Sequence, residues 1–164
     1  MRTHILKYIE KKSKVDLGEL AILLGTDENN FPLINKQDFS KMEQEKIICG
    51  YHTLIDWDKA GVESVTALIE VRVTPQRNQG FDRIAERIYN YPEVTSVYLI
   101  SGGYDLLVTL EGKTLKEVSQ FVSEKLSPVE AVISTATHFI LKKYKDHGTI
   151  LVKKPESERM LITP

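Results

Sequence analysis

The sequence predicts an α+β chain in two parts: a helical N-terminal domain, then a C-terminal domain of strand–helix–strand–strand–helix–strand order. Three observations carry this. The stretch Val97–Leu110 reads as strand, small-residue turn, strand, with Ser101-Gly102-Gly103 at its centre. An amphipathic helical stretch lies on each side of it, and each outer flank carries another strand, which is the order of a ferredoxin-like unit. Near the N-terminus, two short helical patterns with a tight connection read as the start of a helix-turn-helix.

The chain has 164 residues, enough for one medium domain or two small ones. Its 41% apolar content supports a core, and its 27% charged content is that of an ordinary globular protein. A net charge of −1 gives no global field toward nucleic acid or anionic membrane, so any DNA contact must come from a local patch. The single cysteine, Cys49, cannot form an internal disulfide and fits a reducing compartment. No apolar run approaches the roughly 18 residues of a membrane span. The basic N-terminus lacks the apolar centre of a signal peptide. A cytoplasmic protein without membrane partners is expected.

In the N-terminal domain, placed at residues 1–56, Ile5, Leu6 and Ile9 have helical spacing before a basic Lys11-Lys12-Ser13-Lys14 end. Asp16 can cap a second helix with Leu17, Leu20, Ala21 and Leu24 on one face, closed by Gly25. A polar segment broken by Pro32 follows. A third helix is expected from Asn35 to Glu45, with Phe39 and Met42 inward, and a small strand or hairpin wing from Ile47 to Asp56. Residues 57–65 read as a hinge, with Trp57 packing it and Gly61 as a turn.

In the second domain, placed at residues 66–145, Ala67–Thr74 is a strand stopped by Pro75. Gly80–Tyr91 is a helix with Phe81, Ile84, Ala85 and Ile88 on one face, ended by Pro92. Ser96–Ile100 and Asp105–Glu111 form the central hairpin. Thr114 caps a helix whose inward face is Leu115, Val118, Phe121, Val122 and Leu126, broken at Ser127-Pro128. Ala131–Tyr144 is a long last strand. Residues 146–164 are a tail, in which Thr149–Val152 can pair as a short strand and Met160–Thr163 can form a last strand or an arm onto a partner.

The strands carry apolar groups on both faces. Leu107 opposes Leu106, Val108 and Leu110. In the last strand Val132, Ala136 and Ile140 alternate with Ile133, Phe139 and Leu141. Two layers bury one sheet face only, so apolar groups on the second imply a covering chain and hence a homodimer.

The Ser101–Asp105 turn is the candidate small-molecule site. Gly102 and Gly103 either serve hairpin geometry through positive φ or present their amides to a ligand carboxylate. Asp105 either holds a ligand ammonium or fixes the turn from the start of its strand. Tyr104 reads more as a packing residue. Thr135 and Thr137 alternate on the last strand, so both hydroxyls point to one face and can meet a ligand at the sheet interface, although β-propensity explains them equally. None of His4, His52, His138 and His147 sits at metal-ligand spacing, and no phosphate-binding loop, nucleophile elbow or dinucleotide fingerprint occurs. No metal or cofactor is expected.

This order of parts resembles the Lrp/AsnC (feast/famine) family of transcriptional regulators. Ile47-Ile48-Cys49-Gly50-Tyr51 is similar to the end of that family's DNA-binding domain, an apolar pair, any residue, then Gly-Tyr. Ser101-Gly102-Gly103-Tyr104-Asp105 matches the family's [ST]-G-x-[FY]-D turn, and Glu93–Tyr98 resembles its approach strand. The resemblance implies a winged helix-turn-helix-like domain followed by a ferredoxin-like domain of the RAM type. It implies an amino acid or related metabolite bound at the turn, with Ser101, Gly102, Gly103, Tyr104, Asp105, Thr135 and Thr137 as candidates. It further implies binding to double-stranded DNA, and dimers that assemble to tetramers or octamers.

The third helix departs from the family's S-x-x-T-V-x-R-R-I-x-R-L-E pattern. Gln37-Asp38 stand where two arginines are usual, Phe39 and Met42 replace the core Ile and Leu, and Gly25–Ile48 holds a few extra residues. Arginine supplies both phosphate and guanine contacts, and Asp38 would repel phosphate. Residues 1–60 hold 9 Lys+Arg against 10 Asp+Glu. The cations left are Lys36, Lys41 and Lys46 on the third helix and Lys11, Lys12 and Lys14 before the second. The DNA-contact candidates are accordingly Lys36, Gln37, Ser40, Lys41 and Lys14. Two functions are compatible with these residues: a metabolite-modulated DNA-binding regulator, and a metabolite-sensing or protein-interaction module whose first domain has lost sequence-specific DNA binding. An enzyme using His138 or Tyr104 is a distant third, because the fold alone implies no chemistry.

Overall fold

A computed structural model describes residues 2–11, 36–75 and 80–152. Two compact units emerge, one from residues 1–55 with 144–164 and one from residues 56–143.

In the first unit, α1 spans Arg2–Lys11 and α2 spans Lys36–Gln44. Ile5 and Ile9, one turn apart, bury against Met42 and Ile48, with Leu6, Tyr8 and Phe39 at the margin. Helix α2 closes with Lys46 at φ 56, while the Ile47 and Ile48 amides both donate to the Met42 carbonyl. Lys46 therefore belongs to the cap rather than to the helix face expected to meet DNA. No strand forms over Ile47–Asp56, where a wing was expected. The segment contains no two-residue hairpin turn to fold it back on itself. Tyr51 is tied instead to α2: its hydroxyl donates to Glu43 Oε1 at 2.9 Å. The expected second helix, with Asp16 and Gly25, and the expected last strand at Met160–Thr163 lie outside the described residues.

The hinge is a single capped turn. The Asp56 carboxylate accepts from the Lys59 amide, and the Val62 amide returns to the Trp57 carbonyl. Trp57 does not pack it, being 44% exposed.

The second unit holds β1 (Val65–Val73), α3 (Asp82–Tyr89), β2 (Val94–Leu99), β3 (Leu106–Gly112), α4 (Leu115–Phe121) and β4 (Val132–Phe139). The sheet order is β2-β3-β1-β4, with every neighbouring pair antiparallel. Ala67, Ile69, Val71 and Val73 of β1 alternate into the core with Leu106, Val108 and Leu110 of β3. Ile84 and Ile88 of α3 and Val118 and Phe121 of α4 cover that face. Thr114 caps α4 as expected: its hydroxyl accepts from the Glu117 amide at 3.2 Å. Leu115, expected to face inward, is 56% exposed, because the first helical position points away from the sheet. One wide turn, Val122–Leu126, extends α4 and buries Leu126 completely.

Strand β4 differs from expectation in two ways. It stops at Phe139 rather than Tyr144, because its partner β1 begins at Val65 and Ile140 already donates to the Thr66 carbonyl. It also carries a bulge. Val73 pairs with Val132 but Arg72 pairs with Ser134, so Ile133 is the extra residue. Val132 therefore packs on the core side with Phe139, and the strict alternation read from the sequence fails at this end. The opposite sheet face presents the rows Tyr98–Leu107–Glu70–Ala136 and Ser96–Thr109–Leu68–His138, with His138 Nε2 3.4 Å from Glu70 Oε1.

A hairpin follows, β5 (Lys145–Asp146) and β6 (Thr149–Ile150). It belongs to the first unit.

Candidate functional site

The Ser101–Asp105 turn joins β2 to β3 at one end of the sheet. It closes tightly, since the Ile100 amide donates to the Asp105 carbonyl at 2.8 Å. Asp105 also reaches across to β1. Its amide donates to the Val71 carbonyl at 3.1 Å, and its Oδ2 accepts from the Val73 amide at 2.9 Å. Of the two roles open to Asp105, fixing the turn is the one these bonds perform. Tyr104 is half-buried, in keeping with a packing residue.

The two glycines are more telling. Neither Gly102 nor Gly103 has a positive φ. A Cβ at Gly102 would meet only Ile100 Cγ2 at an ordinary 3.8 Å, and one at Gly103 would meet nothing within 4 Å. The hairpin geometry that would have explained them is absent. Ser101, Gly102 and Gly103 are all exposed, so the peptide groups at the turn tip stand bare to whatever approaches from outside the chain.

The strand register places Thr135 opposite Val71 and Thr137 opposite Ile69. Both are half-buried on the face that α3 and α4 cover. The hydroxyls share one face as expected, but it is not the open face. Thr135 lies in the same transverse row as Leu106, the residue after Asp105.

On α2, Ser40 and Lys41 are exposed, and Lys41 Nζ lies 4.0 Å from Glu45 Oε1. Lys14 and the side chains of Lys36 and Gln37 lie outside the described residues. Sequence reasoning missed the Tyr51–Glu43 bond, although Gly50-Tyr51 had been singled out. Burial raises the Tyr51 pKa, and the Glu43 carboxylate raises it further by accepting a hydrogen bond from the hydroxyl and by its negative charge. Among the described residues no group of His, Cys, Asp and Glu could hold a metal ion, and no helix is long and apolar enough to cross a membrane.

Residues 66–150 match the family model of the Lrp/AsnC ligand binding domain. Over 163 residues the chain is 45% identical to an uncharacterized HTH-type transcriptional regulator, YugG, of Bacillus subtilis (strain 168), covering 99% of this chain and 96% of that one. Among solved structures it is similar to a transcriptional regulator from Neisseria meningitidis in complex with L-Met, with a TM-score of 0.67, 20% identity, and coverage of 87% of this chain and 89% of that one. It is also similar to E. coli AsnC, with a TM-score of 0.61, 18% identity, and coverage of 85% and 89%. At these identities the two structures establish a common fold.

Proposed function

The chain belongs to the Lrp/AsnC family of transcriptional regulators, and on that premise we propose that it binds double-stranded DNA through its first unit and an amino acid at the Ser101–Asp105 turn of its second. The family consists of regulators rather than enzymes, so His138 and Tyr104 need no catalytic role. The observation that carries the effector site is the pair Gly102 and Gly103, glycines that neither backbone angle nor crowding within the chain requires. Bare amides there suit a carboxylate, which accepts hydrogen bonds from backbone N–H groups. Asp105, held by the Val73 amide, keeps the turn in place for that contact. Thr135 lies across β1 from the start of β3 and supplies a hydroxyl to a ligand that extends along the strand ends; Thr137 is one row farther. The complex of the Neisseria regulator with L-Met supports an amino acid as the class of effector.

DNA contact falls to Lys36, Gln37, Ser40 and Lys41 of α2, with Lys14. These are few cations for a duplex, and phosphate contacts must add across several subunits. A homodimer that assembles further, to a tetramer or an octamer, supplies them. The open sheet face with Tyr98, Leu107 and Leu68 offers it an apolar surface. The regulator works in the cytoplasm by population shift: the amino acid favours one assembly, and that assembly presents the DNA-binding units differently.

The charge balance of residues 1–60 and the Lys41–Glu45 pair favour a second reading, a metabolite sensor that contacts protein instead of DNA. Selection of genomic fragments by the purified protein separates the two. It is run at low and physiological salt, with and without an amino-acid mixture. Enrichment of one sequence that changes with amino acids supports the regulator. No enrichment at either salt, with amino-acid binding intact, supports the sensor.

A further inference from the structure

The β5–β6 hairpin is too small to stand alone. Each strand has two residues, and an isolated two-stranded ribbon is marginal even when longer. Yet it is sharply defined. His147 at φ 43 and Gly148 at φ 81 form the paired left-handed turn of a tight two-residue hairpin, and the Leu151 amide extends the ladder to the Tyr144 carbonyl at 3.0 Å. Asp146, Leu151 and Val152 are half-buried. His147 and Thr149 line a cavity of about 620 Å³ together with Leu6 and Lys7 of α1 and with Tyr51 and Leu54. The hairpin thus faces α1 and the segment that ends the first 55 residues across one shared cavity.

The topology gives this contact a consequence. The chain crosses from the first unit to the second between Ile55 and Asp56, and crosses back between Lys143 and Tyr144. The first crossing leads into the start of β1, and the second leaves the end of β4. These ends are paired neighbours: Ala67 opposes Phe139, and Ile140 donates to the Thr66 carbonyl. Both connections therefore leave the sheet side by side. The candidate effector turn stands at the other end of the same two strands, where Asp105 binds Val73 and Val73 opposes Val132.

We propose that the hairpin is an integral part of the DNA-binding unit and clamps the second connection onto it, so that the effector domain drives that unit through two adjacent strand ends rather than through one flexible linker. The regulatory role rests on the function proposed above; the clamp itself does not. The left-handed region strains any residue with a branched side chain and accepts Asn readily. Gly148→Val should open the hairpin, Gly148→Asn should keep it, and His147→Asn should tighten it.

Amide hydrogen exchange on the full chain tests this without ligand or DNA. Gly148→Val is expected to speed exchange about fivefold to tenfold over residues 2–11 and 47–54 as well as over 144–152, with β1 to β4 unchanged. Gly148→Asn restores the original rates. His147→Asn slows exchange over residues 2–11 and 47–54, and decides the matter if Gly148→Val fails to fold. Acceleration confined to residues 144–152, or no slowing of residues 2–11 by His147→Asn, overturns the clamp. A protein that binds neither DNA nor amino acids refutes the regulator and leaves the exchange result decisive for the clamp.

Discussion

Asp105 and Val73 are 32 residues apart in sequence, and the Val73 amide donates to Asp105 Oδ2 at 2.9 Å. The bond anchors the start of β3 to the far end of β1, and with it the glycine turn between β2 and β3. Asp105→Ala leaves the Val73 amide without its acceptor in a half-buried position. The loss of a charged hydrogen bond is expected to cost about 2 kcal/mol in urea unfolding, and Asp105→Asn, whose amide oxygen still accepts, less than half of that. Equal stability of the wild type and Asp105→Ala contradicts the anchoring role.

The start of α4 is held from two sides. Thr114 accepts from the Glu117 amide, and the Glu117 carboxylate accepts from the Lys113 amide at 2.8 Å. Thr114→Ala should lower stability by about 1 kcal/mol, whereas Thr114→Ser should hold it near the wild type. Thermal unfolding of the two variants distinguishes a cap from a neutral surface position.

Gly112 ends β3 beside the first turn of α4. A Cβ there would sit 3.1 Å from Val118 Cγ2, and Val118 is fully buried. Gly112→Val forces that side chain aside and is expected to destabilise by about 1–3 kcal/mol. Gly103→Val, at a site with open space, should change stability by less than about 0.5 kcal/mol. The comparison by urea unfolding separates a glycine needed for packing from one that the fold does not need.

Lys125 lies against Glu93 and over the Tyr91 and Phe121 rings, each 5.6 Å from its Nζ. Its hydrogen bond is the main cause holding the Glu93 carboxyl below its ordinary 4.5. A depressed carboxylate stabilises the fold above its unfolded value and loses that contribution as pH falls through the folded one. Because both groups are more than a third exposed, the pair contributes only about 0.5 kcal/mol. Lys125→Met should therefore lie below the wild type at neutral pH by the pair plus lost ring contacts. The gap should narrow as the pH drops below 4.5. A gap independent of pH shows that the ion pair contributes nothing.

Much of the effector domain was legible because its signals are local. The alternation of Ile69, Val71 and Val73 and the Thr114 cap each act within a few residues, and each forms as read, whereas the helix expected over Gly80–Tyr91 runs only from Asp82 to Tyr89, closing before Pro92 and starting after Gly80, whose φ of 54 is not helical. What failed depends on distant partners. The end of β4 is set by where β1 begins, and the bulge at Ile133 by the register with Arg72, neither of which periodicity along one strand contains. Trp57 was expected to pack the hinge and Leu115 to face the core because both are large and apolar, but both are exposed, Trp57 on a turn and Leu115 at a helix start. In the tail, the expected short strand at Thr149–Val152 forms over Thr149–Ile150, and its partner Lys145–Asp146 was missed although the His147-Gly148 turn carried a usable signal, a residue tolerant of positive φ before glycine. At the candidate effector turn the sequence named the residues, but only the backbone angles showed that Gly102 and Gly103 are not there for the hairpin.

The most direct measurement is calorimetric titration of individual amino acids into the full-length protein, wild type beside Gly103→Val. If the bare turn amides receive the effector carboxylate, at least one amino acid binds the wild type saturably, and its affinity falls by about tenfold or more in an equally stable Gly103→Val, the equivalent of about 1.4 kcal/mol. Equal affinity in the two proteins, or no amino acid bound by the wild type, contradicts the placement of the effector at this turn.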